Sequence, residues 1–282
     1  MQIRIITDSA ADFTSQELAA NGITCVPMQI TFGEDTYVDG IDLTPDIFWQ
    51  RLISGENPKT SQPSPDAFLS VFEEAKAAGD AVICVLLSSA LSGTLQSAVI
   101  AKGMADYEPI HIVDSLTAAI AEKVLVLHAC RLRDEGRLSA GEIAAELEEF
   151  RSRVKLYACL DTLSYLARGG RIPQAAASLG SLVQLKPLVT VSADGHVEMA
   201  GKAIGRHRAF DAMLKLAKAA RIDASHPVIP IYSHLADHCS AFVARLNQAG
   251  IACRESDSTP IGVTIGTHIG PGAYGFVYVE AE

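Results

Sequence analysis

Ala81-Val82-Ile83-Cys84-Val85-Leu86-Leu87-Ser88-Ser89 is the stretch on which the fold turns. An unbroken apolar run of strand length, without polar alternation, reads as a strand buried on both faces, as in a parallel sheet between helices. The residues around it repeat one grammar. Leu91–Met104 has the composition of a helix behind that strand. Ile3-Arg4-Ile5-Ile6 is a short apolar strand running into Thr7-Asp8-Ser9, and Thr14 with Glu17 is a capping-box signal for a helix. Ile23–Phe32 is β-branched and strand-like, and Ser64-Pro65 reads as N-cap and first residue of another helix. Ile110-His111-Ile112-Val113 is a further strand with Asp114-Ser115 as its exit, and Ser139 with Glu142 caps one more helix. Repeated strand–loop–helix units of this kind predict an α/β fold with an open parallel sheet covered by helices on both faces.

The grammar changes near residue 155. Asp161–Arg168 reads as a short helix stopped by Gly169-Gly170, and Asp194-Gly195 between two strand-like arms of Leu188–Ala200 is a hairpin signal. Helices are predicted over Arg206–Arg221 and Leu235–Gln248, with strands at Val228–Tyr232, Ala252–Glu255, Ile261–Ile265 and Phe276–Val279. A hairpin plus crossovers implies a mixed sheet. Two domains are expected, 1–155 with the parallel sheet and 156–282 with the mixed one, in keeping with 282 residues against ~150 per domain.

Composition narrows the function. Hydrophobic residues make up 49% and charged ones 20%, which is a globular chain with ample core. Lys and Arg number 23 against 33 Asp and Glu, a net −10 with no basic run, which disfavours a nucleic-acid partner that must be met at its phosphates. The start, MQIRIITDSA, has no basic and apolar targeting pattern. Ala81–Ala101 and Ser258–Val279 lack charged residues over about a bilayer's length, but each is broken at its centre by serines or by Gly270-Pro271-Gly272. No integral membrane segment is expected. The six cysteines stand singly and read as reduced thiols, so the sequence is that of a cytoplasmic protein.

Hydroxyls gather at the predicted strand exits: Thr7-Asp8-Ser9, Ser88-Ser89, Ser92-Gly93-Thr94 and Asp114-Ser115, with Thr60-Ser61 ahead of another helix. In an open α/β sheet these loops converge beside helix N-termini. Each serine or threonine by itself is most simply an N-cap, whereas the set suggests a shared polar pocket. Having no Lys or Arg of its own, such a pocket suits a carboxylate or a neutral polar head better than a polyphosphate. Gly270–Gly275 satisfies G-x-G-x-x-G but precedes a strand, so it is a tight turn and not a dinucleotide fingerprint. His268, just before that turn, is a candidate ligand residue. His234 and His238 have metal-ligand spacing but no third partner in sequence, so no metal is expected. Ser92, Asp114 and His268 imitate the order of a hydrolase triad, which leaves an acyl-ester hydrolase as the alternative reading.

Taken together, the motifs resemble the DegV family, whose fatty-acid-binding members include the FakB subunits of bacterial fatty acid kinases. The resemblance runs nearly end to end. It rests on Thr7-Asp8-Ser9-Ala10-Ala11-Asp12, Lys59-Thr60-Ser61-Gln62-Pro63, Ser88-Ser89-Ala90-Leu91-Ser92-Gly93-Thr94, Val113-Asp114-Ser115, Leu163–Pro187 with Gly169-Gly170-Arg171-Ile172 inside it, and His268-Ile269-Gly270-Pro271-Gly272.

The resemblance implies a two-domain, non-catalytic lipid-binding protein that needs no cofactor. It implies a long-chain fatty acid buried in the first domain, its carboxylate held near the domain interface by Thr60, Ser92 and His268 with Ser61 and Gly93 beside them. It further implies delivery of that acid to a separate ATP-binding kinase, which would phosphorylate it to an acyl phosphate. Arg171 matches the arginine expected on the phosphoryl-transfer face. The basic stretch of that face reads Gly201-Lys202-Ala203-Ile204-Gly205-Arg206 here. Ile204 stands where the family usually has arginine, so that cation is missing or moved to Lys202 or Arg206.

Overall fold

The protein, a computed structural model, is described over residues 2–173 and 184–282. It divides into two units: Met1–Thr44 with Pro58–Ser152, and Pro45–Asn57 with Arg153–Glu282.

In the first unit β1 (Ile3–Asp8) leads into α1 (Ser15–Asn21), which opens on the complete Thr14–Glu17 capping box. The expected strand over Ile23–Phe32 is two strands, β2 (Ile23–Val26) and β3 (Gln29–Phe32), in different sheets. Pro27 stands between them and has no N–H to continue a ladder. β4 (Asp35–Val38) follows, and the chain then enters α2 (Pro45–Ile53) of the second unit before returning at β5 (Lys59–Ser61). Next come α3 (Pro65–Ala78), capped by Ser64, β6 (Ala81–Leu86), α4 (Thr94–Ala105) and β7 (Ile110–Asp114). α5 (Ile120–Glu135) and α6 (Ala140–Phe150) close the unit, the latter on the Ser139–Glu142 capping box.

The main sheet is parallel throughout, in the order β2-β1-β6-β7, and β4-β3-β5 forms a small antiparallel sheet. Every residue of β6 is buried. Val82, Cys84 and Leu86 meet Phe68 and Phe72 of α3 and Ala98 and Ala101 of α4. Ile83 and Val85 point the other way, and α5 and α6 also pack on β6. Burial on both faces is the reason this strand carries no polar residue.

The second unit holds β8 (Val154–Cys159), α7 (Ser164–Arg168), β9 (Leu185–Val191), β10 (Val197–Ile204), α8 (Arg206–Ala219) and β11 (Ile229–Tyr232). α9 (Asp237–Gln248), β12 (Thr259–Pro260), α10 (Val263–Ile269) and β13 (Tyr274–Val279) complete it. Its sheet runs β10-β9-β8-β13-β11-β12 and is mixed: the β11–β12 pair is parallel, the others antiparallel. The β9–β10 hairpin turns at Gly195, whose φ of 85° suits glycine. Phe210, Met213, Phe242 and Phe276 build the core between this sheet and helices α8 and α9.

Two expectations are corrected. Ala252–Glu255 is not a strand; the chain there goes into a short 3-10 turn over Glu255–Asp257. Ile261–Ile265 is not a strand either, for Val263–Ile269 is helical. The β-branched run favoured a strand, but Gly266 inside the helix and Gly270 at its end let it approach its neighbours closely. A Cβ at Gly266 would lie 2.9 Å from the Trp49 ring and 3.2 Å from Phe48, both on α2. Tertiary packing overrides propensity here, and His268 therefore sits in the last turn of a helix.

Candidate functional site

In the first unit the polar residues collect around the exit of β5 and the start of α4. Successive side chains on a strand face opposite ways. Thr60 lies opposite buried Ile30, whereas Ser61 lies opposite Gln29, is exposed and donates to Gln29 Oε1 at 3.5 Å. The two hydroxyls thus leave β5 on different sides, with Thr60 on the side of the core. Gln62 then folds across Gly93 and donates from Nε2 to Ser97 Oγ at 3.2 Å. A Cβ on Gly93 would overlap the Gln62 amide, so close approach demands this glycine. Ser92 Oγ and Thr94 Oγ1 share a 2.9 Å hydrogen bond, and Ser92 Oγ accepts from Thr94 N–H at 3.3 Å. α4 begins at Gly93 without a side-chain cap, so N–H donors of its first turn lie beside these hydroxyls. Thr94 is fully buried.

Asp114 has another job. Its Oδ1 accepts from Ser89 N–H at 3.1 Å and from Leu116 N–H at 3.0 Å, fastening the exits of β6 and β7 together. In a hydrolase triad this carboxylate has to orient an imidazole, and neither bond does so. Asp8 is a second fastener, wholly buried, with Oδ1 accepting from Ala10 N–H at 2.8 Å and Oδ2 from Leu87 N–H at 2.9 Å.

In the second unit, α7, the Gly169–Ile172 turn and the end of α10 are one packed piece. His268 Nδ1 occupies the space over Gly169, the Tyr165 ring fills the space over Gly270, and Asp161 Oδ2 would lie 2.7 Å from a Cβ on Gly272. Buried Ser233 fastens the same turn, donating to Gly270 O at 2.7 Å and accepting from Ala273 N–H at 2.9 Å. Arg171 donates to Gly169 O, Lys186 pairs with Asp161, and the Arg168 guanidinium stacks 4.6 Å from the Tyr165 ring centre. Burial first, and then the positive charge of Arg171, bring the His268 imidazole down to about 4. It is therefore neutral near pH 7 and can donate one ring N–H, while Arg171 supplies the positive charge.

Lys202 and Ile204 alternate with buried Ala203 at the end of β10, so both point outward, and Ile204 is 57% exposed. Arg206 opens α8 and is exposed. His234 and His238 are not poised for one ion: the His234 ring lies 5.4 Å from that of Trp49, and His238 Nδ1 is 3.4 Å from Gly272 O. Among the described residues no group of three His, Cys, Asp or Glu side chains could hold a metal, and no helix is long and apolar enough to cross a membrane. All six cysteines are free.

Comparison with known proteins places this architecture. The family model described as "Uncharacterised protein, DegV family" matches residues 2–281. The chain belongs to the DegV family. A DegV domain-containing protein, TTE1491 of Caldanaerobacter subterraneus subsp. tengcongensis, is 33% identical over 280 residues, 99% of each chain. Among solved structures, a DegV family protein from Thermus thermophilus described by its fatty acid binding is 33% identical, with a TM-score of 0.88 over 100% of both chains. DegV of Bacillus subtilis, described as a fatty acid binding protein, is 29% identical, with a TM-score of 0.82 over 100% of both chains.

With the DegV motifs in place, the sequence reading missed the residues that organise them. Gln62 links the Thr60-Ser61 segment to α4, Asp8 links β1 to β6, and Tyr165 with Gly169 seats the end of α10. Each stands inside or beside a motif, but only the paired partners reveal its role.

Proposed function

We propose that this protein binds a long-chain fatty acid, its carboxylate held by Thr60, Ser92 and His268 with Ser61 and Gly93 beside them, and its acyl chain buried. The observation that carries this reading is the match along the whole chain to a Thermus thermophilus protein described by its fatty acid binding. The chemistry of the residues supports it. Ser92 and Thr94 offer hydroxyls beside an uncapped helix start, and His268 offers a ring N–H next to the Arg171 charge. Hydrogen bonds of that kind to an ionised carboxylate are roughly twice as strong as neutral ones. The chain would add ~0.8 kcal/mol per buried methylene, so binding is tail-driven and the head group sets orientation. Mass spectrometry of ligand extracted from denatured protein is expected to find one acyl chain per protein, and none at all would overturn the reading. The double substitution Thr60→Ala/Ser92→Ala is expected to weaken retention without unfolding the protein; unchanged retention would remove this site.

The same reading extends to delivery of the bound acid to a separate ATP-dependent kinase. Arginine suits a transferring phosphoryl group because its fork binds two oxygens at once. Arg171→Ala is expected to keep the fatty acid but abolish its phosphorylation by a cognate kinase, and wild-type turnover would refute the role. Ile204 leaves an apolar side chain where the family has a cation, so Ile204→Arg is expected to raise turnover by kinases from other DegV systems. An unchanged rate would leave carriage without the kinase link.

A further inference from the structure

Asp8 at the end of β1 and Glu122 in the first turn of α5 are both wholly buried, on elements that pack together. Their surroundings differ. Each Asp8 oxygen accepts a backbone N–H, from Ala10 and from Leu87. Glu122 Oε1 has the Thr7 hydroxyl at 3.4 Å, a long contact, and Oε2 has no hydrogen-bond partner among the described residues. The backbone holds Glu122 there against its own preferences. Leu116 has φ 50°, and Ala119, which starts α5 without a side-chain cap, has φ 55° and ψ −138°. Residues of this kind keep such conformations only where the surroundings impose them. Ser115 N–H to Leu86 O and Ser88 N–H to Thr117 O, both 3.0 Å, do so by tying this segment to the exit of β6.

The groups facing the pair add negative charge or nothing. Asp12 and Asp114 act on Glu122, Asp39 acts on Asp8, and the thiols of Cys25 on β2 and Cys84 on β6 are kept neutral by the same surroundings. Lys123, the next residue of α5, spends its ammonium on Glu17 at 2.7 Å and on Asp12 O at 3.3 Å. Two ionised carboxylates buried on packed elements repel each other, and the Asp8 charge acts on Glu122. We propose that the folded first unit holds one proton on the Asp8–Glu122 pair, carried by Glu122, and that this proton ties closure of the β1 and β6 exits around the start of α5 to pH. Asp8, with two N–H donors, is the member suited to stay ionised. Burial and then the Asp8 charge push Glu122 well above the usual carboxyl range, and burial lifts Asp8 to about 6. The exit of β6 continues into Ser88–Gly93, so loss of the proton would also loosen the proposed head-group loop. That last consequence rests on the fatty-acid reading; the proton site does not.

Infrared spectroscopy of the intact protein at pH 7 tests it, with glutamate carbons labelled with 13C. A neutral carboxylic-acid C=O band is expected, shifted by the label and absent in Glu122→Gln. Because the label marks glutamate, a band from bound fatty acid is told apart, and the wild-type result stands even if the variant does not fold. Urea unfolding from pH 5 to 9 supplies the second measurement. Above pH 7, where Asp8 is ionised in both proteins, the wild-type folding constant is expected to fall by up to tenfold per pH unit as long as the folded pair keeps the proton that the unfolded chain has released, whereas Glu122→Gln, with no such proton, stays flat there and is the more stable protein at pH 8. No labelled neutral-acid band at pH 7, or identical pH slopes for the two proteins, would overturn the proposal. Retention of an added fluorescent fatty acid, followed over the same pH range, reports separately on the head-group loop. Retention that falls with the proton supports the coupling, and retention indifferent to pH removes it.

Discussion

Gly169→Ala isolates the contact that seats His268. Gly169 ends α7 with φ −72° and ψ −12°, a right-handed helical conformation open to any residue. On backbone grounds alone alanine would gain ~0.5–1 kcal/mol. The new methyl, however, would overlap His268 Nδ1 and stand 3.3 Å from Tyr165 O. His268 has little room to retreat, because the Tyr165 ring is wedged against Gly270 and the Trp49 ring lies against Gly266 of the same helix. Overpacking of this kind costs ~1–3 kcal/mol, so the single substitution is expected to destabilise by ~1–2 kcal/mol after the backbone gain. In a His268→Ala background the obstacle is gone and the same substitution is expected to be neutral or stabilising. A double-mutant cycle by urea unfolding at pH 7, with m-values held equal, is then expected to give a coupling of ~2 kcal/mol. Additivity within ~0.5 kcal/mol would refute the packing argument, because independent sites add to that precision.

Two further outcomes follow from the same packed piece. In an NMR titration of the imidazole, His268 is expected to stay neutral until about pH 4, and Arg171→Met is expected to raise that value while leaving it below 6.5, since burial is the larger cause. Gly266→Ala is expected to displace the ring of Trp49, the single tryptophan of the chain, and so to shift its emission maximum; an unchanged spectrum would contradict the close approach.

Much of the fold was legible because local signals agreed with burial. The Thr14–Glu17 and Ser139–Glu142 pairs form the capping boxes their spacing announced, and the apolar run at Ala81 forms the strand buried on both faces. The Ile261–Ile265 misreading came from a distant partner. Val263-Thr264-Ile265 has strand composition, but Gly266 lets the helix lie close against Trp49 and Phe48 of α2, a segment more than 200 residues earlier in the chain. The candidate site was legible in part: hydroxyls gather at the exits of β1, β6 and β7, while Thr60 and Ser61 lie in β5 of the small antiparallel sheet. Its organisation was not, because Gln62 over Gly93 and His268 over Gly169 are relations between segments and leave no period in the sequence.

Asp8 in the first unit and His268 in the second both titrate against folding, with opposite signs. Asp8 in the first unit rises from 3.8 to about 6, so the folded state takes up a proton that the unfolded state releases in that span. Stability from this group is fully present below 3.8 and is lost as pH rises through 6. His268 in the second unit falls from 6.5 to about 4; the unfolded state binds its proton first, and stability is lost as pH drops from 6.5 through 4. At ~1.4 kcal/mol per pH unit over roughly two units, each effect reaches at most ~3 kcal/mol, less for His268, which retains some solvent contact. Between pH 4 and 6.5 acidification therefore strengthens the first unit while it weakens the second. Hydrogen exchange resolved by segment is expected to show protection of β1 and β6 rising from pH 6.5 to 4.5, after correction for the intrinsic rate, while that of β8 and β13 falls. His268→Gln is expected to remove the second trend and leave the first. Parallel changes in both units, or a second-unit trend that survives His268→Gln, would show that groups other than these two govern the pH response.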